Sequence, residues 1–80
     1  MEHDTLIRSL RQAGEAIRAR RKSQKMTQVE LSRRSGVVQA RISDIENGVM
    51  SPGIDVYLRL AAALGADLAM IDRSIDESLL

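Results

Sequence analysis

Apolar residues recur along this chain at three- and four-residue spacing, the period of helices that bury one face. Leu6, Leu10, Ala13, Ile17 and Arg21 share one stripe, which predicts a first helix capped by Asp4 and fading near Ser23. Gly14 interrupts it. Glycine there weakens the helix by about 1 kcal/mol relative to alanine, so a kink or a close packing contact is expected. "MTQVEL" opens a second helix: Thr27 is a good N-cap, Glu30 completes a capping box, and Met26 and Leu31 can staple across the cap. It ends at Ser35, with Gly36 suited to the left-handed backbone that closes a helix. A third helix runs from about Val38 to Asn47, with Ile42 and Ile45 inward and Val38 one turn before Ile42. Asn47-Gly48 stops it, and "MSPG" is a loop, since Ser51 precedes a proline. A fourth helix spans about Ile54 to Leu64, with an inner face of Ile54, Tyr57 or Leu58, Ala61 and Leu64.

After Gly65 the period changes. "ADLAMID", residues 66–72, alternates Leu68 and Met70 with Ala69 and Ile71, which predicts a short strand. A fifth helix is the alternative, because Ala, Leu and Met favour helix. A strand needs a partner, and the chain offers no second candidate. The simplest partner is the same strand of another copy, giving a two-fold dimer with Leu68, Ala69, Met70 and Ile71 at the interface. The tail, residues 73–80, carries Ile75 and Leu79 at helical spacing but is too short to hold a helix alone. The expected class is all-α with four to five helices: one domain over 1–72, helices two and three over 27–47, then the tail.

Composition narrows the chemistry. The chain of 80 residues has no cysteine, so disulfides and thiolate metal sites are excluded. Its single histidine, His3, lies near the N-terminus, a poor basis for a metal site or a catalytic base. With no Gly-rich phosphate loop and no paired carboxylates in a credible cleft, an enzyme is not expected, nor is a cofactor. No run approaches the ~18 apolar residues of a membrane span. "MEHDTLIRSL" lacks the basic start and apolar run of a signal peptide, so a soluble cytoplasmic protein is expected. Tyr57 is the sole aromatic residue, which argues against stacking platforms for single-stranded bases. Net charge is only +1, but it is unevenly spread. Residues 1–25 hold seven basic and three acidic side chains, and residues 51–80 hold two and five. That asymmetry suits solvated helix faces, or a nucleic-acid surface at one end.

Two short helices around a glycine turn form a helix-turn-helix arrangement, which many bundles contain. The exposed residues sharpen it. "TQVELSRRSGVVQARISDIENG" resembles the Cro and phage-repressor type of helix-turn-helix family, often called XRE. The resemblance extends from about Gly14 through "EAIRARRKSQKMTQ" to "YLRLAAALGADL". It implies a lambda-repressor-like fold that binds double-stranded DNA. Gln28 falls where the family sets a Gln against the DNA backbone, Leu31 in the core, and Ser32 where a small residue lets the helices approach. Gly36 is the turn glycine and Val37 the apolar plug. Arg21 and Glu46 match positions that form an interhelical ion pair in many relatives. Ser35 departs from the pattern, which usually has a larger apolar residue there, and looser packing under the turn is expected.

The side-chain chemistry fits these roles. Gln39 lies at the helix end that enters a major groove, and its amide matches adenine N6 and N7. Arg41 can fork onto guanine or grip a phosphate. Ala40 offers a methyl to thymine, and Val38 and Ser43 lie alongside at or near base edges. Asp44 reads as a spectator or a repulsive filter. Lys25, Thr27 and Gln28 are candidate phosphate contacts at the mouth of helix two, and Asn47 beyond helix three is either a phosphate contact or a plain terminator. Arg33, Arg34, Arg18, Arg20 and Lys22 read as solvated charge.

The function this implies is a sequence-specific repressor that binds a near-palindromic operator as a homodimer. The "LGADLAMIDRS" ending resembles HipB-type antitoxins, which repress their own operon and bind a HipA-like kinase toxin. The alternatives are a stand-alone phage or restriction-modification controller, and a protein-binding adapter that does not read DNA.

Overall fold

A computed structural model describes residues 7–50 and 52–70. Among them are four helices and no strand: α1 (Leu10–Ser23), α2 (Gln28–Ser35), α3 (Gln39–Glu46) and α4 (Ile54–Ala63). α1 packs on α3, and α2 packs on both α3 and α4. Their shared core is Ile17, Met26, Leu31, Val37, Ile42, Ile45, Val56, Leu60 and Leu64. No helix of the described residues is long and apolar enough to cross a membrane.

The cap of α1 is Ser9, whose hydroxyl accepts the Gln12 N–H at 3.1 Å. Asp4 and Leu6 lie outside the described residues. Leu10, expected inward, is half exposed because the buried stripe begins a turn later, at Ala13, Ile17 and Arg21. Of the two readings of Gly14, the close contact is the one realised. A Cβ there would collide with the Ile45 carbonyl oxygen and sit 3.1 Å from its carbon. The missing side chain therefore lets α1 lie directly on the α3 backbone.

α2 begins with both halves of its capping box: Thr27 Oγ1 accepts the Glu30 N–H at 3.0 Å, and Glu30 Oε1 accepts the Thr27 N–H at 2.9 Å. Met26 and Leu31 on either side of the cap are both buried in the core. Gly36 closes α2 at φ 77° and donates its N–H to Ser32 O at 2.9 Å. Ser35 is buried, and its hydroxyl accepts the Val37 N–H at 3.1 Å. The small polar side chain thus ties the turn together, where looser packing was expected. Val37 then plugs the core while Val38 points outward, 67% exposed. Val38 does not join the Ile42 stripe, because its backbone (φ −58°, ψ 139°) precedes the helix.

α4 keeps most of its expected inner face, but Val56 and Leu60 fill the core where Ile54 was expected. Ile54 and Leu58 are exposed, whereas Val56, Leu60, Ala61 and Leu64 are buried and Tyr57 is half-buried. "IDVYLRLAAAL" is apolar on two sides, so spacing alone permits either face to turn inward. The Leu64 carbonyl at the end of α4 accepts from Arg20 Nε at 3.3 Å and Gln24 Nε2 at 2.7 Å. Arg20 is therefore tied to a helix C-terminus, where a cation is favoured, and is not simply solvated. Past Gly65 (φ 69°), residues 66–70 are neither helix nor strand. The strand expected over 66–72 needs a second copy to pair with. Ile71, Asp72 and the tail 73–80 lie outside the described residues.

Candidate nucleic-acid interface

α3 divides into two faces. Ile42 and Ile45 are fully buried and Glu46 nearly so. Gln39, Ala40, Arg41 and Asp44 are exposed and Ser43 is half-buried. Three of eight residues anchor the helix, and the rest form a short polar ridge beside Val38.

The anchor is polar as well as apolar. Arg21 on α1 forks onto the Glu46 carboxylate, Nε to Oε2 at 2.8 Å and Nη2 to Oε1 at 2.9 Å. Its Nη1 donates to the Met26 carbonyl at 2.8 Å, just before the α2 cap. One buried guanidinium thus joins α1, the α1–α2 connection and α3. Burial by itself would raise the Glu46 pKa. Hydrogen bonds from Arg21 and Gln28, with the charges of Arg21 and Arg18, outweigh it and hold the carboxyl below its ordinary value. The hydrogen bond to Glu46 raises the Arg21 pKa further, so the pair is ionised at neutral pH.

The network continues outward. Gln28 Nε2 donates to Glu46 Oε1 at 3.1 Å, and Gln39 Nε2 donates to Gln28 Oε1 at 3.4 Å. Gln28, read from sequence as a phosphate contact, is half-buried and links the ion pair to the exposed Gln39. Nothing local in the sequence signals this, since Gln28 and Glu46 are 18 residues apart.

The other candidates divide. Val38, Gln39, Ala40, Arg41 and Ser43 lie together along α3 and its mouth. Thr27 is occupied by its capping box, and its hydroxyl also reaches Glu30 Oε1 at 3.3 Å. Lys25 is exposed on left-handed backbone (φ 56°), in the turn before α2. Asn47 is exposed and ends α3, its N–H on Ser43 O at 3.0 Å. Arg33 and Arg34 are exposed in the last turn of α2. Arg59 of α4, which sequence reasoning passed over, reaches the turn itself: a Cβ at Gly36 would lie 3.9 Å from its Nη1. Leu68, Ala69 and Met70 are exposed and stand apart from this group in the chain. Among the described residues no cluster of His, Cys, Asp or Glu has the makings of a metal site.

Comparison with known proteins agrees with this geometry. A helix-turn-helix family model matches residues 17–71. The chain is 42% identical over 59 residues to a Sinorhizobium fredii (strain NBRC 101917 / NGR234) protein named "Uncharacterized HTH-type transcriptional regulator y4dL". That match covers 74% of this chain and 30% of the relative's length. With two short helices about a left-handed glycine, a capped α2 and a polar ridge on α3, the chain belongs to the helix-turn-helix family of the Cro and phage-repressor type, a family of DNA-binding regulators.

Proposed function

We propose that this protein is a sequence-specific transcriptional repressor that inserts α3 into the DNA major groove. The observation carrying this reading is the exposed ridge of Gln39, Ala40 and Arg41, with Ser43 half-buried beside it, on a helix whose opposite face is locked by Ile42, Ile45 and Glu46. A rigid helix with polar residues outward suits base reading, because a bidentate amide contact tolerates little misalignment. Val38 adds an apolar surface at the mouth of α3 suited to a thymine methyl. In this reading Lys25, Thr27, Gln28 and Asn47 contact phosphates, which their positions in or beside the start of α2 and at the end of α3 support. Gln28 keeps a second amide N–H beyond the one given to Glu46, whereas Thr27 meets a phosphate only by releasing its hydroxyl from Glu30.

The protein acts as a homodimer, pairing residues 66–72 of two copies, so that two α3 helices sit about 34 Å apart on a near-palindromic operator. The exposure of Leu68 and Met70 supports this, since both would be covered by pairing. The working unit is residues 1–72 with a tail of 73–80. The closer assignment is a HipB-like antitoxin that represses its own operon and binds a kinase toxin. It rests on the "LGADLAMIDRS" resemblance alone.

The test is a footprint on the duplex upstream of the protein's own reading frame, with binding followed by fluorescence anisotropy. Two protected half-sites one helical turn apart are expected. Gln39→Ala should weaken specific binding by about 1–3 kcal/mol. Affinity should fall steeply with salt, as phosphate counterions are released. No protection, or a footprint unaltered by Gln39→Ala, overturns the reading and favours an adapter that does not read DNA.

A further inference from the structure

We propose that Arg20 and Gln24, by holding the Leu64 carbonyl, fix the direction in which residues 66–70 leave the domain, and so set the half-site spacing that the dimer accepts. The proposal rests on the reading given above, a DNA-binding dimer joined through residues 66–72, and adds the device that aims its two α3 helices.

α4 closes its own end with backbone bonds. The Gly65 N–H donates to Ala62 O at 3.0 Å and the Ala66 N–H to Ala61 O at 2.8 Å, the paired closure that a left-handed glycine permits. That leaves the Leu64 carbonyl, a group that a helix end can give to water. Here two side chains of another helix take it, Arg20 Nε at 3.3 Å and Gln24 Nε2 at 2.7 Å. The donors stand one turn apart at the end of α1. The peptide joining Leu64 to Gly65 is thus pinned at its oxygen by α1 and at its nitrogen by α4. Residues 67–70 beyond it are exposed and form no regular element, so this peptide sets the heading on which they depart.

The place of the donors gives the device its reach. Arg20 and Arg21 are chain neighbours that hold different helices: Arg21 forks onto Glu46 of α3, and Arg20 takes the end of α4. One turn of α1 therefore refers both the reading helix and the departing segment to the same frame. Leu60 and Leu64 seat α4 in the core, but apolar burial is non-directional, and the two hydrogen bonds supply the angle. Small angles matter at this pivot. With half-sites about 34 Å apart, each α3 lies about 17 Å from the two-fold axis, and a swing of about 10° at Gly65 moves it roughly 3 Å, close to the rise of one base pair. Adding a base pair also turns one half-site by roughly 35° about the duplex axis, which a rigidly aimed dimer cannot follow. Arg20 and Gln24 are thus positioning residues that need touch neither DNA nor the second copy.

The experiment compares wild type, Gln24→Met and the double variant Arg20→Met/Gln24→Met. Wild type first selects a motif from a randomised duplex library. That duplex is then rebuilt with one or two base pairs added or removed between its half-sites, and anisotropy gives the affinity for each spacing. Circular dichroism checks folding and light scattering checks mass; if the double variant does not fold, Gln24→Met, which changes no charge, decides. Wild type should lose about tenfold or more for a one-base-pair change, while both variants should bind the shifted duplexes within about threefold of the original. Comparing spacings cancels the general weakening expected from removing the Arg20 charge. Equal weakening at every spacing is the mark of a merely structural role and overturns the proposal. So does a variant with the mass of one chain, because pairing itself, and not its direction, would then have failed. A wild type that selects a single half-site overturns the dimer reading and this inference with it.

Discussion

Gly36 and Gly65 both end a helical stretch in the left-handed region, at φ 77° and 69°, yet the segments after them fare differently. After Gly36, the Ser35 hydroxyl holds the Val37 N–H, Val37 enters the core, and α3 is fixed by Ile42, Ile45 and the Arg21–Glu46 fork. After Gly65, the Ala66 N–H reaches back to Ala61 O at 2.8 Å. Beyond it, residues 67–70 are exposed and form no regular element. The same glycine device stops a helix in both places. What differs is whether the chain itself supplies buried partners for the next few residues. The α2–α3 unit has them within one copy. Residues 66–70 have apolar side chains and strand-like alternation but nothing here to pair with.

The largest effect expected from breaking the braced region comes from Glu46→Ala. It leaves a buried guanidinium unpaired, and should cost about 3–5 kcal/mol in urea unfolding, enough to threaten a domain of this size. Gly14→Ala comes next. The new methyl must push α1 off the Ile45 carbonyl, and the thermal midpoint should drop by the equivalent of about 1–3 kcal/mol.

Acid sharpens the same contrast. The Glu46 pKa is lowered on folding, so its stabilisation is fully present above the unfolded carboxylate value of about 4.3 and is lost as pH falls through the lower folded value. Glu30, lowered mainly by its hydrogen bond from the Thr27 backbone, acts in the same direction. Stability measured from pH 7 downward should fall below about pH 4.3. A folded Glu46→Gln variant should fall less steeply over that window.

Two smaller changes probe the turns. Lys25 occupies left-handed backbone at φ 56°, so Lys25→Gly should raise stability by about 0.5–1 kcal/mol. Leu68→Asp, in the unbraced segment, should alter single-chain stability by less than about 0.5 kcal/mol. Its effect should instead appear in light scattering, as a shift from the mass of two chains to that of one. A wild type that already has the mass of one chain would remove the pairing of residues 66–72 from the account.

Much of this contrast was readable in sequence, for a physical reason. Caps and turns are local, so Thr27, Glu30 and Gly36 announce the ends of α2 within a few residues. The first helix shows the limit of that reading, because Asp4 and Ser9 are both acceptable caps and only packing places the helix start. In α4 the spacing places Ala61 and Leu64 inward, but Ile54 and Leu58 compete with Val56 and Leu60 for the rest of the core, and only packing chooses between them. The Gln28 link to Glu46 and the Arg20 and Gln24 bonds to Leu64 join residues 18 to 44 positions apart and leave no periodic trace. The Arg21–Glu46 pairing was available only through family resemblance, because charge alone does not choose among this many cations.

The most direct test of the central claim is an amide chemical-shift titration of the labelled protein with operator duplex. The account predicts that the perturbations concentrate at Lys25–Gln28 and Val38–Ser43, and leave the amides of Leu68–Met70 unmoved by DNA. Perturbations centred on α4 or on residues 66–70, with α3 silent, would contradict it.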